Sequence, residues 1–213
     1  MAETLELSQL TDLLPIASAP WVIQEQMEYS GLGTGEVLAA KLGPSRWGAQ
    51  VSLHPVNRLD ARAIQARLEA LGGSIGNFFF ASPTNLYPAK DPGGVILGSS
   101  EPIIDLLGAN NKSLSFKSLP AGYQLSVGDM FSIDYGASPV RRYLGRLTGD
   151  TVASAGGFTP VTSIYPHFPA GITAGMKVSF IKPSARVFIA PETLNIPATG
   201  EFPVITFEVI QRP

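Results

Sequence analysis

The residues able to carry chemistry are few. Two histidines, His54 and His167, stand far apart, and neither belongs to an HxxxH or HExxH spacing that would bring two ring nitrogens to one metal. His54 falls on the polar side of an alternating segment, and His167, between Pro166 and Phe168, falls in a turn. Ser99 and Ser100 follow Gly98, but the GxSxG elbow of a serine hydrolase is absent, so the fold alone would have to assemble a Ser/His/Asp set. The carboxylate pairs Glu25 and Glu28, Asp129 and Asp134, and Glu192 and Glu201 would serve glycoside hydrolysis only by converging to about 5 to 9.5 Å across a cleft. Each pair reads more simply as solvent-facing strand or turn positions. The chain has no cysteine, which removes disulfides, thiolate chemistry and cysteine-bound metal. No catalytic residue, cofactor or metal is expected.

Two other groups of side chains stand out as contact residues. Arg141, Arg142 and Arg146 cluster; in a strand, Arg142 and Arg146 share a face, which reads either as a solvated strand face or as one that an acidic surface of a neighbouring subunit would pair with. Ser82 to Gly98 contains PTNLYPAKDPGG, a connection long enough to be a functional loop. Leu86, Tyr87, Lys90 and Asp91 in that connection, with Arg142 and Arg146, are the candidate subunit interface.

The elements that position these residues are mostly strands. Gly 22 and Pro 18 punctuate many short apolar runs. One segment has long helical periodicity: after Asn57 as N-cap and Asp60 in the first turn, Ala61, Ile64, Leu68 and Leu71 share a face. Gly72 and Gly73 stop that helix, and Phe78, Phe79 and Phe80 follow as a strand covered on both faces. Earlier, Leu7, Leu10 and Leu14 read as a weak helix or arm ending at Pro15, and Trp21 to Tyr29 as a strand. GLGTG, with Gly31, Gly33 and Gly35, reads as a hairpin turn, because no Lys-Ser/Thr follows it and no helix opens there. Trp47, Ala49, Val51 and Leu53 alternate with polar or small residues, the pattern of a half-buried strand.

From Ser113 to Pro183 the chain is again strand-rich and carries an echo, LSVGDMFSI at Leu125 to Ile133 and ITAGMKVSF at Ile172 to Phe180. Met130 to Tyr135, Val140 to Leu147, Val161 to Tyr165 and Met176 to Ile181 are expected to form a small barrel or split sheet. Arg186 to Ala190 and Val204 to Gln211 return to the first sheet, which makes the middle region an insertion.

Composition narrows the partners. A formal charge of −2 gives no basic footprint for nucleic acid or an anionic membrane. No apolar run approaches the roughly 20 residues of a membrane span, and no signal peptide is legible, so a soluble protein is expected. Charged residues are 15% of the chain against 45% hydrophobic, a sparse surface that either subunit contacts cover in part or Ser, Thr and Asn keep soluble in a monomer.

The succession SRWGAQVSLHPVNRLDARAIQARLEALGGSIGNFFFASP, LSVGDMFSIDYG and SIYPHFPAGITAGMKVSFIKPSARVFI resembles the distal tail proteins of tailed bacteriophages and gene transfer agents, over about Gly35 to Gln211. That resemblance implies a mainly β fold with one principal α-helix: a tail-tube-like β-sandwich or split barrel with a flanking helix, from residues 1–110 plus 184–213, and an inserted small barrel-like region, residues 111–183. It implies a structural virion protein at the tail tip, assembled in the host cytoplasm as a homo-oligomeric, hexameric ring. Its partners would be the tail tube, tape measure and baseplate hub proteins. The chain lacks an evident C-terminal carbohydrate-binding or receptor-binding domain. Two other readings remain: a carbohydrate-binding β-sandwich module, which requires aromatics exposed on a flat sheet, and a small hydrolase, which requires a cleft of convergent polar groups.

Overall fold

The computed structural model describes residues 4–31, 33, 35–137, 140–197 and 200–212. Within them the fold is mainly β with one principal α-helix. In chain order the first elements are β1 (Thr4–Leu5), β2 (Ile16–Ser18), β3 (Val22–Gln24), β4 (Met27–Gly31), β5 (Val37–Lys41), β6 (Arg46–Leu53), α1 (Arg58–Glu69) and β7 (Asn77–Phe80). Then come β8 (Ile103–Leu107), β9 (Ser113–Lys117), β10 (Gln124–Leu125), β11 (Met130–Tyr135), β12 (Arg141–Leu147), β13 (Thr151–Val152), β14 (Thr162–Tyr165), β15 (Val178–Ser179), β16 (Ala185–Ile189) and β17 (Thr206–Gln211).

Sheet one takes strands from both ends of the chain, in the order β1-β7-β16-β17-β6-β2, with β3 also on β6. The alternation in β6 behaves as its sequence demands: Trp47, Ala49, Val51 and Leu53 are buried, while Gln50 is exposed. Across the ladder, Val51 pairs with Phe207 and Ala49 with Val209, so the apolar sides of β6 and β17 coincide. Helix α1 covers that face with Ala61, Ile64 and Leu68, which join Phe78, Phe80, Trp21 and Trp47 in one core. The Asn57 side chain accepts from the Asp60 N–H at 2.9 Å, the cap expected from the sequence. At the other end the chain leaves the helix at Ala70 and reverses through Gly72 and Gly73, both with positive φ (69° and 64°), a conformation cheap only for glycine.

Two N-terminal expectations are corrected. Leu7 to Leu14 forms no α-helix but two 3-10 turns, Leu7–Gln9 and Thr11–Leu13, which bury Leu10 and Leu14 against sheet one. Trp21 to Tyr29 is not one strand: β3 stays on β6, and β4 leaves the sheet to pair with β5. The break falls at Glu25 and Gln26, because the Gln26 carbonyl closes the base of the β4–β5 hairpin by accepting from Leu42 N–H (2.8 Å). The GLGTG turn belongs to this hairpin, although its Leu32 and Thr34 lie outside the described residues.

Sheet two runs β15-β11-β12-β14-β9-β8. It also closes on itself, since β8 meets the segment entering β15. Ile103 bridges Lys177, Ile104 N–H donates to Met176 O (2.9 Å), Gly175 N–H to Ile104 O (2.8 Å) and Val178 N–H to Pro102 O (2.9 Å). Closure removes the free edges of an open sheet. Inside, Phe116, Phe131 and Phe180 meet at ring separations of 5.0 to 6.1 Å. Strand Ile103–Leu107, which a boundary at residue 110 would leave with the first unit, belongs to this barrel because Ile104 is buried in its core.

The sequence echo has a structural meaning. Gly128 and Gly175 both turn with positive φ (94° and 86°), and the strands they launch are antiparallel partners. Ser132 pairs with Ser179, and these are equivalent positions of the two copies of the motif. The two copies of the motif therefore meet antiparallel at equivalent positions.

Candidate functional site

The seam between the barrel and sheet one is built on β12, whose two faces serve two cores. Tyr143 and Leu147 point into the barrel, while Leu144 joins the core of sheet one. Gly145 sits between them in sequence; a Cβ there would lie 2.6 Å from Phe131 Cζ, so the strand can pack that closely only with glycine. The Leu144 carbonyl accepts from Trp47 Nε1 at 2.7 Å, a hydrogen bond between fully buried groups.

Arg142 and Arg146 do share a side of β12, and they turn towards the chain's own first sheet. The Arg142 guanidinium lies 3.8 Å over the Phe79 ring, donates to both oxygens of Asp134 (2.5 and 2.8 Å) and reaches Ser184 Oγ at 2.9 Å. Asp134 is its cross-strand neighbour on β11. Arg146 lies 4.8 Å over the Trp47 ring, and burial pushes its guanidinium down from its ordinary value. Both arginines thus act as intramolecular clamps between β12 and the first sheet. Sequence could show that the pair shares a strand face but not which aromatic rings would lie beneath it. Cation–π contacts of this kind contribute about 0.5 to 2 kcal/mol each.

The long connection from Ser82 is likewise pinned. Asp91 is 1% exposed; its carboxylate accepts Ile96 N–H (2.9 Å), Leu97 N–H (2.9 Å) and the Tyr123 hydroxyl (3.0 Å). Burial raises its pKa, but the backbone and tyrosine hydrogen bonds outweigh burial and hold it below the usual carboxylate value. Burial, then the Asp91 hydrogen bond, pushes the Tyr123 hydroxyl well up. Asp129 fastens the same connection from the barrel by accepting Ala89 N–H (2.8 Å) and Ser126 N–H (2.7 Å). The Leu86 carbonyl accepts Lys182 N–H at 2.7 Å. Of the four expected contact residues here, Asp91 is therefore interior and Leu86 half-buried, and only Tyr87 and Lys90 are exposed.

The residues considered for catalysis do not converge. Asp129 is committed to backbone N–H groups and Asp134 to Arg142. Glu25 accepts from the Tyr165 hydroxyl, while Glu28, Glu192 and Glu201 are exposed. His54 and His167 are exposed as well. The cleft along 97–102 and 177–184 has a volume of about 510 Å³, but its charges are already paired: Arg142 with Asp134 and Lys177 with Glu101 inside it, and Lys182 with Asp12 outside it. Trp21 and Trp47 are core residues, so neither ring is free to stack on a sugar. No helix among the described residues is long and apolar enough to cross a membrane.

The β4–β5 hairpin contrasts with all of this. Every β5 residue is exposed, as are all β4 residues except Met27. Tyr29 (69%), Val37 (64%), Leu38 (52%) and Leu42 (66%) place large apolar side chains in solvent. Because Tyr29 pairs with Ala39 and Ser30 with Leu38, apolar groups occupy both faces of the ribbon. Its anchors to the body gather at the base, where Tyr165 meets Glu25 and Ser45, and Lys41 donates to Ser45 Oγ (2.8 Å). The alternation in VLAAK is too short and too small-sided to have marked this arm in the sequence. No family model and no curated protein matches this chain.

Proposed function

We propose that this chain is a structural assembly subunit, a distal-tail-type protein that forms a hexameric ring at a virion tail tip and joins the tail tube to the tape measure and baseplate hub proteins. The observation that carries the reading is the β4–β5 hairpin. A lone two-stranded ribbon is marginal in water, and this one has apolar side chains on both faces and backbone edges open to pairing. Insertion between neighbouring subunits covers both faces at once, and a closed ring does this for every copy. The patterning between Gly35 and Gln211 supplies the tail-tip context.

The test is particle mass. Light scattering and negative-stain imaging of the full chain should show a closed ring, and replacing 27–41 by a short Gly-Ser turn should yield a folded monomer. A wild-type chain that stays monomeric even with tail partners, or a hairpin-less chain that still forms rings, would sink the proposal.

A further inference from the structure

A small pocket of about 100 Å³ lies where the base of the hairpin, β11, β12, the segment after β14 and the end of β17 meet; Arg46, Tyr135, His167 and Gln211 contribute to its lining. No carboxylate side chain lines it, while two arginines, Arg46 and Arg142, do. The Arg46 side chain is half-buried, its Nε is fully buried without a hydrogen-bond partner, and among the described residues no carboxylate pairs with its guanidinium. Gln211 spends its oxygen on Trp47 N–H (3.1 Å), which leaves its amide N–H groups for the pocket.

The surroundings are positive as well. Burial and then Lys112 and Lys41 hold His167 below its ordinary value; burial and then Arg212 and Arg141 do the same to Arg186. The nearby acids are already engaged, Asp134 by Arg142 and Glu25 by Tyr165. In a chain with a net charge of −2, Lys41 and Lys112 thus add positive charge beside His167, which lines the same pocket as Arg46. A half-buried guanidinium without a counter-charge is costly, and its planar fork matches the two oxygens of an oxyanion.

We infer that this pocket is an oxyanion site, which takes a phosphate, sulfate or carboxylate group against Arg46, with the Gln211 amide, Tyr135 hydroxyl and His167 ring completing the donor set. The volume admits one such group, not a nucleotide or a sugar. The site does not depend on the ring proposed above, since all its groups come from one chain.

Calorimetric titration of the full chain with inorganic phosphate, sulfate and acetate, at constant ionic strength, tests the assignment. Saturable binding is expected for at least one of the three. Arg46→Gln should weaken it at least tenfold, the scale of one charged hydrogen bond. Arg46→Lys, which keeps the charge but loses the fork, should fall between, and Lys90→Gln, at an exposed cation outside the pocket lining, should leave binding unchanged. Circular dichroism checks that each variant folds; if Arg46→Gln does not, Tyr135→Phe and His167→Ala carry the same comparison, each with a smaller loss. No saturable binding by any of the three anions, equal affinity in wild type and the pocket variants, or an equal loss in Lys90→Gln would overturn the site.

Discussion

The β4–β5 hairpin and the connection Ser82 to Ser100 reverse the usual association of regular structure with burial. The hairpin has a continuous ladder of five pairs and almost no packing. The connection has one 3-10 turn and no strand, yet Ser82, Asp91 and Leu97 are interior. What holds the connection is a pair of buried carboxylates, each capturing backbone N–H groups that an irregular chain would otherwise leave unsatisfied. The difference teaches where contact with other molecules belongs. A long loop rich in proline and glycine is not available merely for being irregular, and a regular ribbon is not part of the core merely for being paired.

The comparison breaks most sharply at Asp91. Asp91→Ala leaves two backbone N–H groups and the Tyr123 hydroxyl unpaired in the interior, and should cost about 3 to 5 kcal/mol in a urea titration. A loss below about 0.5 kcal/mol, as at an ordinary surface site, would return the connection to the class of free loops.

The acid limb sharpens the same point. Asp91 has a folded pKa below its unfolded value near 4, so its contribution is present above that value and is lost as pH falls through the lower folded one. Asp129 has the opposite sign: burial first, despite its hydrogen bonds to Ser126 and Ala89, raises its folded value, so it costs stability as pH rises through that value. Urea midpoints measured from pH 2 to 6 should therefore show a shallower acid loss in Asp91→Asn than in wild type. Parallel profiles would remove Asp91 from the acid limb.

Arg142→Glu addresses the seam between the two cores. It places a carboxylate beside Asp134 and over the Phe79 ring and should destabilise the chain by about 1 to 3 kcal/mol, read from the thermal midpoint. An unchanged midpoint with altered particle mass would mean that the arginine serves a neighbour after all.

The smallest effect belongs to the hairpin. Its replacement by a short turn should move the urea midpoint of the monomer by no more than about 0.5 kcal/mol equivalent, because little of it is buried. A larger loss would show the ribbon to be part of the folded core.

Much of the fold was legible because it rests on local periodicity. Asn57, Ala61, Ile64 and Leu68 announce α1, the alternation from Trp47 to Leu53 announces β6, and Gly128 and Gly175 announce the paired strands of the barrel. The site was far less legible. The partners of Asp91 are backbone N–H groups, which any sequence supplies, so nothing distinguishes its burial from the exposure of Asp12. The direction of Arg142 and Arg146 depends on Phe79 and Trp47 arriving beneath them from strands far away in the chain. Arg46 meets Tyr135, His167 and Gln211 only after both sheets have formed.

The placement of β17 has a consequence for synthesis. This strand lies between β16 and β6, so Phe207 completes a ladder begun at Val51 with the whole barrel encoded in between. On the ribosome, the barrel strands Ile103 to Ser179 emerge and can close while sheet one still has a gap at its centre. During that interval the edge of β6 opposite β2 and β3 stays open, and the ordering cost of the longest loop closure is met last. The slow, aggregation-exposed stage of this protein's life is therefore the one that ends when the strand Thr206–Gln211 leaves the exit tunnel and fills the slot.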